Sequence, residues 1–270
     1  MPTPRGADYT ELLELAEWLA RGAGALTVRL RAAGGPLGVD AKSSPTDVVT
    51  EVDRASERWL ADQLARLRPD DALLGEEGAD RAGGSGVRWV VDPIDGTVNF
   101  LYGLRPYAVS VAAEQDGQVV AGAVHDPTSG ETFAARLGGG AYLDGTRIGG
   151  SWLAPGLDTA VVATGFGYDA GLRAGQGEVL AALLPRVGNV RRLGSAALDL
   201  CYVAAGRLDG YYEHGLKDWD RAAGLLVATE AGAVVGGLRG RPPGVVTVAA
   251  SPAVAAELTR LLEELGADEL

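Results

Sequence analysis

The stretch "WVVDPIDGTVNF", residues 89–100, carries most of the structural and chemical information in this chain. An apolar run ends at Asp92, and Pro93, Asp95 and Gly96 follow within four positions. This pattern predicts a buried strand that leads into a tight turn, because Pro and Gly favour turns. The turn would project both carboxylates, with the Ile94 carbonyl as a further candidate, to one side. Hard oxygen ligands of this kind suit Mg²⁺, Mn²⁺ or Ca²⁺.

The same stretch has a second interpretation as an ordinary structural turn, since Asp, Pro and Gly are common turn residues. Against this, the backbone amides of Gly96 and Thr97 follow the carboxylates directly. A run of exposed N–H groups forms a natural seat for a phosphate. Taken alone, residues 92–97 therefore fit either a turn or a site for metal and phosphate.

Three further stretches place carboxylates at the ends of predicted elements, which favours the second interpretation. They are "DVVTEVD" at 47–53 with Asp47 and Asp53, "GEEG" at 75–78 with Glu76 and Glu77, and "DWDRAAG" at 218–224 with Asp218 and Asp220. Each has a simple explanation alone: an N-cap, a solvated loop, or acidic residues that favour a helix dipole. Together they would require four coincidences at four element ends, so we expect the carboxylates to converge.

Composition limits the class of protein. The 270 residues are 47% hydrophobic and 22% charged, which is typical of a globular chain. The net charge of −12 argues against a direct nucleic-acid partner. No apolar run approaches a membrane span, and "MPTPRGADYT" has no signal pattern. Cys201 is the only cysteine, which excludes disulfides within the chain and fits a reduced, cytoplasmic setting.

The pattern of elements changes along the chain. The first part combines helices with antiparallel strands, which Asp-Gly turns at 116–117 and 144–145 connect. The last ~120 residues alternate strands and helices in the manner of an α/β protein. A Gly-, Pro- and Ser-rich segment at 149–158 separates them. We therefore predict an N-terminal α+β part, 1–150, and a C-terminal α/β part, 151–270.

These motifs, in this order and at these separations, resemble the inositol monophosphatase family of Mg²⁺-dependent, lithium-sensitive phosphatases. The resemblance runs from about residue 8 to residue 265, and "DPIDGTVNF" with a downstream "WDRAAG" is its most specific part. It is strongest toward the bacterial inositol-1-monophosphatases. It implies an α+β fold, a layered α-β-α-β-α sandwich of the inositol monophosphatase and sugar phosphatase type. It also implies a phosphoric monoester hydrolase.

The resemblance implies roles for ten residues. The metal ligands would be Glu76, Asp92, the Ile94 carbonyl, Asp95 and Asp220; the catalytic residues around the attacking water would be Thr97, Asp47 and Glu76; the phosphate would contact the amides of Gly96 and Thr97; the alcohol would contact Asp95, Ala196 and Glu213. No metal ligand departs from the family pattern. Ser195 stands where relatives often have threonine. The first part of the chain would hold most metal ligands, and the second part Asp220 and the alcohol contacts.

The implied reaction is hydrolysis of a small phosphorylated polyol, above all myo-inositol monophosphate, by direct attack of metal-activated water. Two or three Mg²⁺ ions would take part, Mn²⁺ could replace Mg²⁺, and Ca²⁺ or Li⁺ would inhibit. The family implies a homodimer, and no membrane partner is expected. Alternatives within the family are histidinol-phosphate phosphatase, 3′,5′-bisphosphate nucleotidase and fructose-1,6-bisphosphatase. An added, non-catalytic protein-interaction role in transcription is also open.

Overall fold

The computed structural model describes residues 9–34 and 37–270. In these residues the helices are α1 (Tyr9–Ala32), α2 (Glu51–Leu67), α3 (Thr97–Tyr102), α4 (Ala170–Leu183), α5 (Ala196–Ala204), α6 (Asp218–Glu230) and α7 (Ala255–Glu264). The strands are β1 (Val39–Ala41), β2 (Val48–Thr50), β3 (Ala72–Gly75), β4 (Asp80–Arg81), β5 (Val87–Asp95), β6 (Ala108–Gln115), β7 (Gln118–His125), β8 (Thr132–Arg136), β9 (Gly140–Leu143), β10 (Thr146–Ile148), β11 (Val161–Thr164), β12 (Asn189–Arg191), β13 (Gly210–His214), β14 (Val234–Gly236) and β15 (Val246–Ala250). None of the helices in these residues is long and apolar enough to cross a membrane.

Two sheets form the framework. The first has eight strands in the order β10-β9-β8-β7-β6-β5-β3-β4, and the second has five in the order β12-β11-β13-β15-β14. The chain leaves the first sheet after Ile148 and enters the second at Val161, which brackets the predicted seam. The division into parts at residue 150 stays a prediction, because helices between the sheets pack against both of them.

The helices complete a five-layer arrangement. Helices α1 and α2 cover one face of the eight-stranded sheet, and α5 and α6 lie between the two sheets. Helices α4 and α7 cover the outer face of the five-stranded sheet. Helix α1 packs on the eight-stranded sheet through an apolar stripe on one side, which contains the buried residues Leu12, Ala16, Leu19 and Ala23. The predicted α-β-α-β-α sandwich is confirmed.

Both sheets are mixed, in contrast to the sequence prediction. The first contains one parallel pair, β3 with β5, among antiparallel neighbours. In the second, β12, β11 and β13 are parallel, but β15 and β14 join antiparallel. The short strand β14 was not predicted, and its pairing with β15 gives the C-terminal part an antiparallel edge. Pairing of this kind depends on long-range contacts that local sequence patterns do not specify.

The stretch 89–100 forms a strand, a turn and a helix without a linker. Strand β5 does not end at Asp92 but continues to Asp95, with an irregular register between these two residues. An irregularity of this kind accommodates Pro93, which cannot donate a hydrogen bond to a neighbouring strand. Gly96 then adopts a left-handed conformation, φ 95°, and α3 begins at the next residue. Asp92 and Asp95 therefore both lie at the end of the sheet where α3 begins.

A buried carboxylate anchors the start of β5. Asp71 accepts hydrogen bonds from Trp89 Nε1 at 2.9 Å, Ser85 Oγ at 2.6 Å and Arg68 Nε at 2.7 Å. Burial acts to raise the pKa of Asp71, but the bonds from Arg68, Ser85 and Trp89 outweigh it and lower the pKa below its usual value. The carboxylate thus ties the end of α2 to the strand that carries the acidic residues.

Asp71→Asn should destabilise the fold by about 1–3 kcal/mol, since it removes charge-assisted bonds from a buried network. The free energy of unfolding, measured in urea at pH 7, gives the result. Because the folded pKa is lowered, the difference from wild type should be full above pH ~4 and shrink as Asp71 becomes protonated in more acidic solution. Glu11→Gln, a change at an exposed acid, is the control. A loss no larger than that of Glu11→Gln would contradict the anchoring role.

Candidate active site

One open cavity of about 480 Å³ lies where the end of the eight-stranded sheet meets the C-terminal part. It brings together residues from distant parts of the chain: Asp47 and Asp220, for example, are 173 positions apart. All ten residues selected from the sequence line it: Asp47, Glu76, Asp92, Ile94, Asp95, Gly96, Thr97, Ala196, Glu213 and Asp220. The expected convergence of the four acidic stretches is therefore present in the structure.

The turn after β5 shapes the floor of this cavity. Asp92 Oδ1 accepts from the Ile94 amide at 2.9 Å, and Thr97 Oγ1 lies 3.1 Å from the Ile94 carbonyl oxygen. Gly96 is required for two reasons. Its φ is 95°, and a Cβ there would lie 2.8 Å from the Gly194 carbonyl oxygen. The close approach of Gly194 brings the segment before α5 against the turn.

The structure pairs Thr97 with Asp53, and not with Asp47, which the resemblance places with Thr97 around the attacking water. Thr97 Oγ1 donates to Asp53 Oδ1 at 3.0 Å. Asp47 lines the cavity, but its carboxylate accepts from the Ser43 amide at 3.2 Å and the Ser43 hydroxyl. The physical reason is the helix start: Thr50 caps α2, and Asp53 lies in its first turn on the buried face. Asp47 precedes the helix, on the segment that ends in β2.

A signal for Asp53 was available in the sequence. Thr50 and Asp53 have capping-box spacing, and the Thr50 amide donates to Asp53 Oδ2 at 2.9 Å. Asp53 also shares a helical face with buried Ser56, Glu57 and Leu60. A carboxylate that a helix buries needs hydrogen-bond partners, and the Thr97 hydroxyl is one partner of Asp53.

Glu57 is a second residue that the sequence prediction missed. Its carboxylate accepts from the amides of Glu77 and Ala79, both at 2.8 Å, and so holds the loop that carries Glu76. Gly75 leaves room for it, because a Cβ there would lie 2.4 Å from Glu57 Oε2. The helix α2 thereby supports both Thr97 and the Glu76 loop.

Lys42 faces the same loop from the β1–β2 hairpin. Its ammonium donates to Glu76 Oε1 at 2.8 Å and also pairs with Glu77. As the side chains stand, no three His, Cys, Asp or Glu residues in the described part of the chain form a ready ligand set for an ion. The Lys42 ammonium instead neutralises part of the negative charge beside Asp92.

Part of the cavity wall comes from the C-terminal part of the chain, including Ala196 and Glu213. Asp95 Oδ2 accepts from Ser195 Oγ at 2.6 Å and from the Ala197 amide at 2.7 Å, at the start of α5. Ser195 is also the N-cap of that helix. Glu213, on β13, accepts from Tyr211 Oη at 2.6 Å. These contacts join the alcohol side of the predicted site to the acidic turn.

Burial and mutual repulsion act on the clustered carboxyls. Burial, followed by the charges of Glu76, Asp95 and Asp220, raises the pKa of Asp92 well above its usual value. Burial also raises the pKa of Asp95 to about 6, although the bond from Ser195 opposes the shift. The pKa of Asp220 is raised well above its usual value by burial and by Asp95. Negative charge at this point is therefore unfavourable without a compensating cation.

The donor set fits divalent cations of the Mg²⁺ type. Four carboxylates and the Ile94 carbonyl face one cavity and supply only oxygen, the ligand that hard cations prefer. Asp92 is close enough to the other three carboxylates to feel their charge, since Glu76, Asp95 and Asp220 all raise its pKa. The single cysteine, Cys201, is buried in the core away from the cavity wall, so it adds no thiolate to this set. The residues thus fit the group that the resemblance implies.

Comparison with known proteins agrees with this geometry. The family model described as "Inositol monophosphatase family" matches residues 8–269. The inositol-1-monophosphatase SuhB of Mycobacterium tuberculosis is 51% identical over 243 residues, which cover 86% of this chain and 84% of that protein. The Nus factor SuhB of Salmonella typhimurium is 39% identical over 258 residues, 89% of this chain and 96% of that protein.

A solved structure shows the same fold. Mycobacterium tuberculosis SuhB superposes with a TM-score of 0.83 at 46% sequence identity, covering 96% of this chain and 98% of that chain. The comparisons of sequence and of structure thus agree over nearly the whole chain. The chain belongs to the inositol monophosphatase family, whose members are generally metal-dependent, and it is a phosphatase.

Proposed function

We propose that the protein hydrolyses myo-inositol monophosphate to myo-inositol and phosphate in a Mg²⁺-dependent reaction. The observation that carries the proposal is the convergence of Glu76, Asp92, Asp95 and Asp220 on one cavity that also contains the Gly96–Thr97 turn. Hydrolysis of a phosphate monoester needs neutralised charge and a placed water more than covalent chemistry. A cavity of oxygen donors beside backbone amides meets both needs.

Glu76, Asp92, the Ile94 carbonyl, Asp95 and Asp220 would hold two or three Mg²⁺ ions, with Mn²⁺ as a substitute and Ca²⁺ or Li⁺ as inhibitors. When bound, the ions would supply charge neutralisation for the phosphate and leaving oxygen and lower the pKa of the attacking water. Glu76 would exchange its ion pair with Lys42 for this role. The amides of Gly96 and Thr97, at the cavity wall, would orient the phosphate.

Thr97 and Asp53 would handle the proton of the attacking water. The Thr97 hydroxyl donates to Asp53, so its oxygen remains available to accept a proton from a water in the cavity. Burial raises the pKa of Asp53, although bonds from Thr50 and Thr97 oppose the shift, and a raised pKa improves a carboxylate as a base. Asp47 would keep only a supporting place at the rim. No covalent phosphoenzyme is proposed.

The leaving alcohol would contact Asp95, Ala196 and Glu213. Glu213 lies on the cavity wall, and a carboxylate there can accept a hydrogen bond from a sugar or polyol hydroxyl. The M. tuberculosis relative is named an inositol-1-monophosphatase, which supports inositol as the alcohol. We further propose a homodimeric, cytoplasmic protein without membrane or direct nucleic-acid partners, divided near residue 150 into the two predicted parts.

A second candidate is an added protein-interaction role in transcription. The S. typhimurium relative, 39% identical over 89% of this chain, is named a Nus factor. With a net charge of −12, the chain would act through protein contacts rather than by binding nucleic acid directly. The intact acidic cavity supports retained catalysis beside any such role.

Asp53→Asn should lower kcat by about 10²–10⁴-fold, because it removes the base behind Thr97. Asp47→Asn, the matched control, should change kcat by less than about tenfold. Thr97→Val should lose as much as Asp53→Asn, and the double variant should lose little more, because the two residues act as a unit. Steady-state kinetics with inositol 1-phosphate and Mg²⁺ gives these values. A large loss in Asp47→Asn with near-normal Asp53→Asn would make Asp47, and not Asp53, the base that acts with Thr97.

Among inositol 1-phosphate, histidinol phosphate, fructose 1,6-bisphosphate and adenosine 3′,5′-bisphosphate, the first should give the highest kcat/KM. Glu213→Ala should raise KM for inositol 1-phosphate by about tenfold, the effect of one lost charge-assisted hydrogen bond. It should leave KM for p-nitrophenyl phosphate nearly unchanged, because that leaving group has no hydroxyl for Glu213 to contact. Preference for another substrate would replace inositol in the proposal, and no turnover of any substrate would point to a pure interaction role.

A further inference from the structure

The position of Glu213 depends on a buried neighbour that does not line the cavity. Tyr211 is fully buried, and its Oη donates to Glu213 Oε2 at 2.6 Å. Burial, followed by the charge of Glu213, raises the pKa of Tyr211 well above its usual value, so the phenol stays a donor at neutral pH. Residues 211 and 213 share one face of β13, because side chains alternate along a strand. The contact therefore needs no distortion of the backbone.

The absence of a side chain at Gly165 leaves the space that the Glu213 carboxylate occupies. A Cβ at Gly165 would lie 1.9 Å from Glu213 Oε2 and 2.3 Å from Oε1, far inside contact distance. Space alone explains the glycine, since Gly165 is not among the glycines with positive φ. The carboxylate thus lies flat against the backbone of residue 165, just after β11.

These two contacts leave one oxygen of Glu213 for a ligand. Oε2 is occupied by Tyr211, and Oε1 accepts no hydrogen bond from residues 9–34 or 37–270. The residue itself is only partly buried and lies on the cavity wall. A rotamer fixed on two sides loses little conformational entropy when the remaining oxygen binds a hydroxyl.

We propose that Tyr211 and Gly165 are specificity-determining positioning residues: Tyr211 fixes Glu213 by one hydrogen bond, and Gly165 supplies the space that its carboxylate occupies. This inference rests on the proposed contact between Glu213 and the leaving alcohol. Together the two residues select phosphate esters whose alcohol presents a hydroxyl to Oε1. Alcohols without such a hydroxyl gain nothing from the arrangement.

Tyr211→Phe tests the first residue. It should raise KM for inositol 1-phosphate by about three- to tenfold, because the freed carboxylate is no longer held in place. Its kcat, and both constants for p-nitrophenyl phosphate, should stay within about twofold of wild type. Tyr212→Phe is the matched control, since Tyr212 is buried on the opposite face of β13 and its hydroxyl contacts Thr164. Equal effects of Tyr211→Phe on both substrates would overturn the proposal.

Gly165→Ala tests the second residue and should raise KM for inositol 1-phosphate at least as much, with KM for p-nitrophenyl phosphate again unaffected.

The same substitutions made in Glu213→Ala separate the positioning role from the proposed alcohol contact. There, Tyr211→Phe and Gly165→Ala should cause no further rise in KM, because the group that they position is gone. If Glu213→Ala itself leaves the KM for inositol 1-phosphate unchanged, the proposed alcohol contact fails. If Glu213→Ala raises KM but neither Tyr211→Phe nor Gly165→Ala does, only the positioning role fails.

Discussion

Repulsion among buried carboxylates is the physical constraint on which the rest of this structure depends. Asp92 is almost completely buried, and Glu76, Asp95 and Asp220 raise its pKa further. Several negative charges at one partly dehydrated point destabilise the folded chain unless cations neutralise them. In the proposed function, the same carboxylates would bind divalent cations, and the cations would bind the phosphate ester. Lys42 neutralises only the Glu76 side of the cluster.

The layers of the fold hold these charges in place against their repulsion. Adjacent strands β3 and β5 run parallel, so Glu76 and Asp92 emerge at the same end of the sheet. Helix α6 lies between the two sheets and brings Asp220 to that end from the C-terminal part. The hydrogen bond from Ser195 to Asp95 fixes the start of α5, and the bond from the Glu77 amide to Glu57 fixes the loop that carries Glu76. The acidic cavity therefore takes lining residues from early and late parts of the chain, from Lys42 to Asp220.

Much of this was predictable from the sequence, and the failures have physical reasons. Elements with clear periodicity and turns such as Asp116-Gly117 were confirmed, as was the layered fold. The contact of Thr97 with Asp53 was missed because Asp47 and Asp53 lie in one acidic stretch, and only the buried face of α2 distinguishes them. Strand β14 and helix α3 are too short for a periodic signal. The role of Gly165 depends on a contact with Glu213, 48 positions away, that no local pattern encodes.

Thermal unfolding of the wild type and Asp92→Asn, each in EDTA and in Mg²⁺, tests the central claim most directly. In EDTA the variant should have the higher Tm, because one charge has left a repulsive cluster. In Mg²⁺ the wild type should gain several degrees and the variant much less, since ligand binding to the folded state stabilises it. This reversal of order is the predicted result. Equal gains in Mg²⁺, or a variant that is less stable in EDTA, would contradict the account.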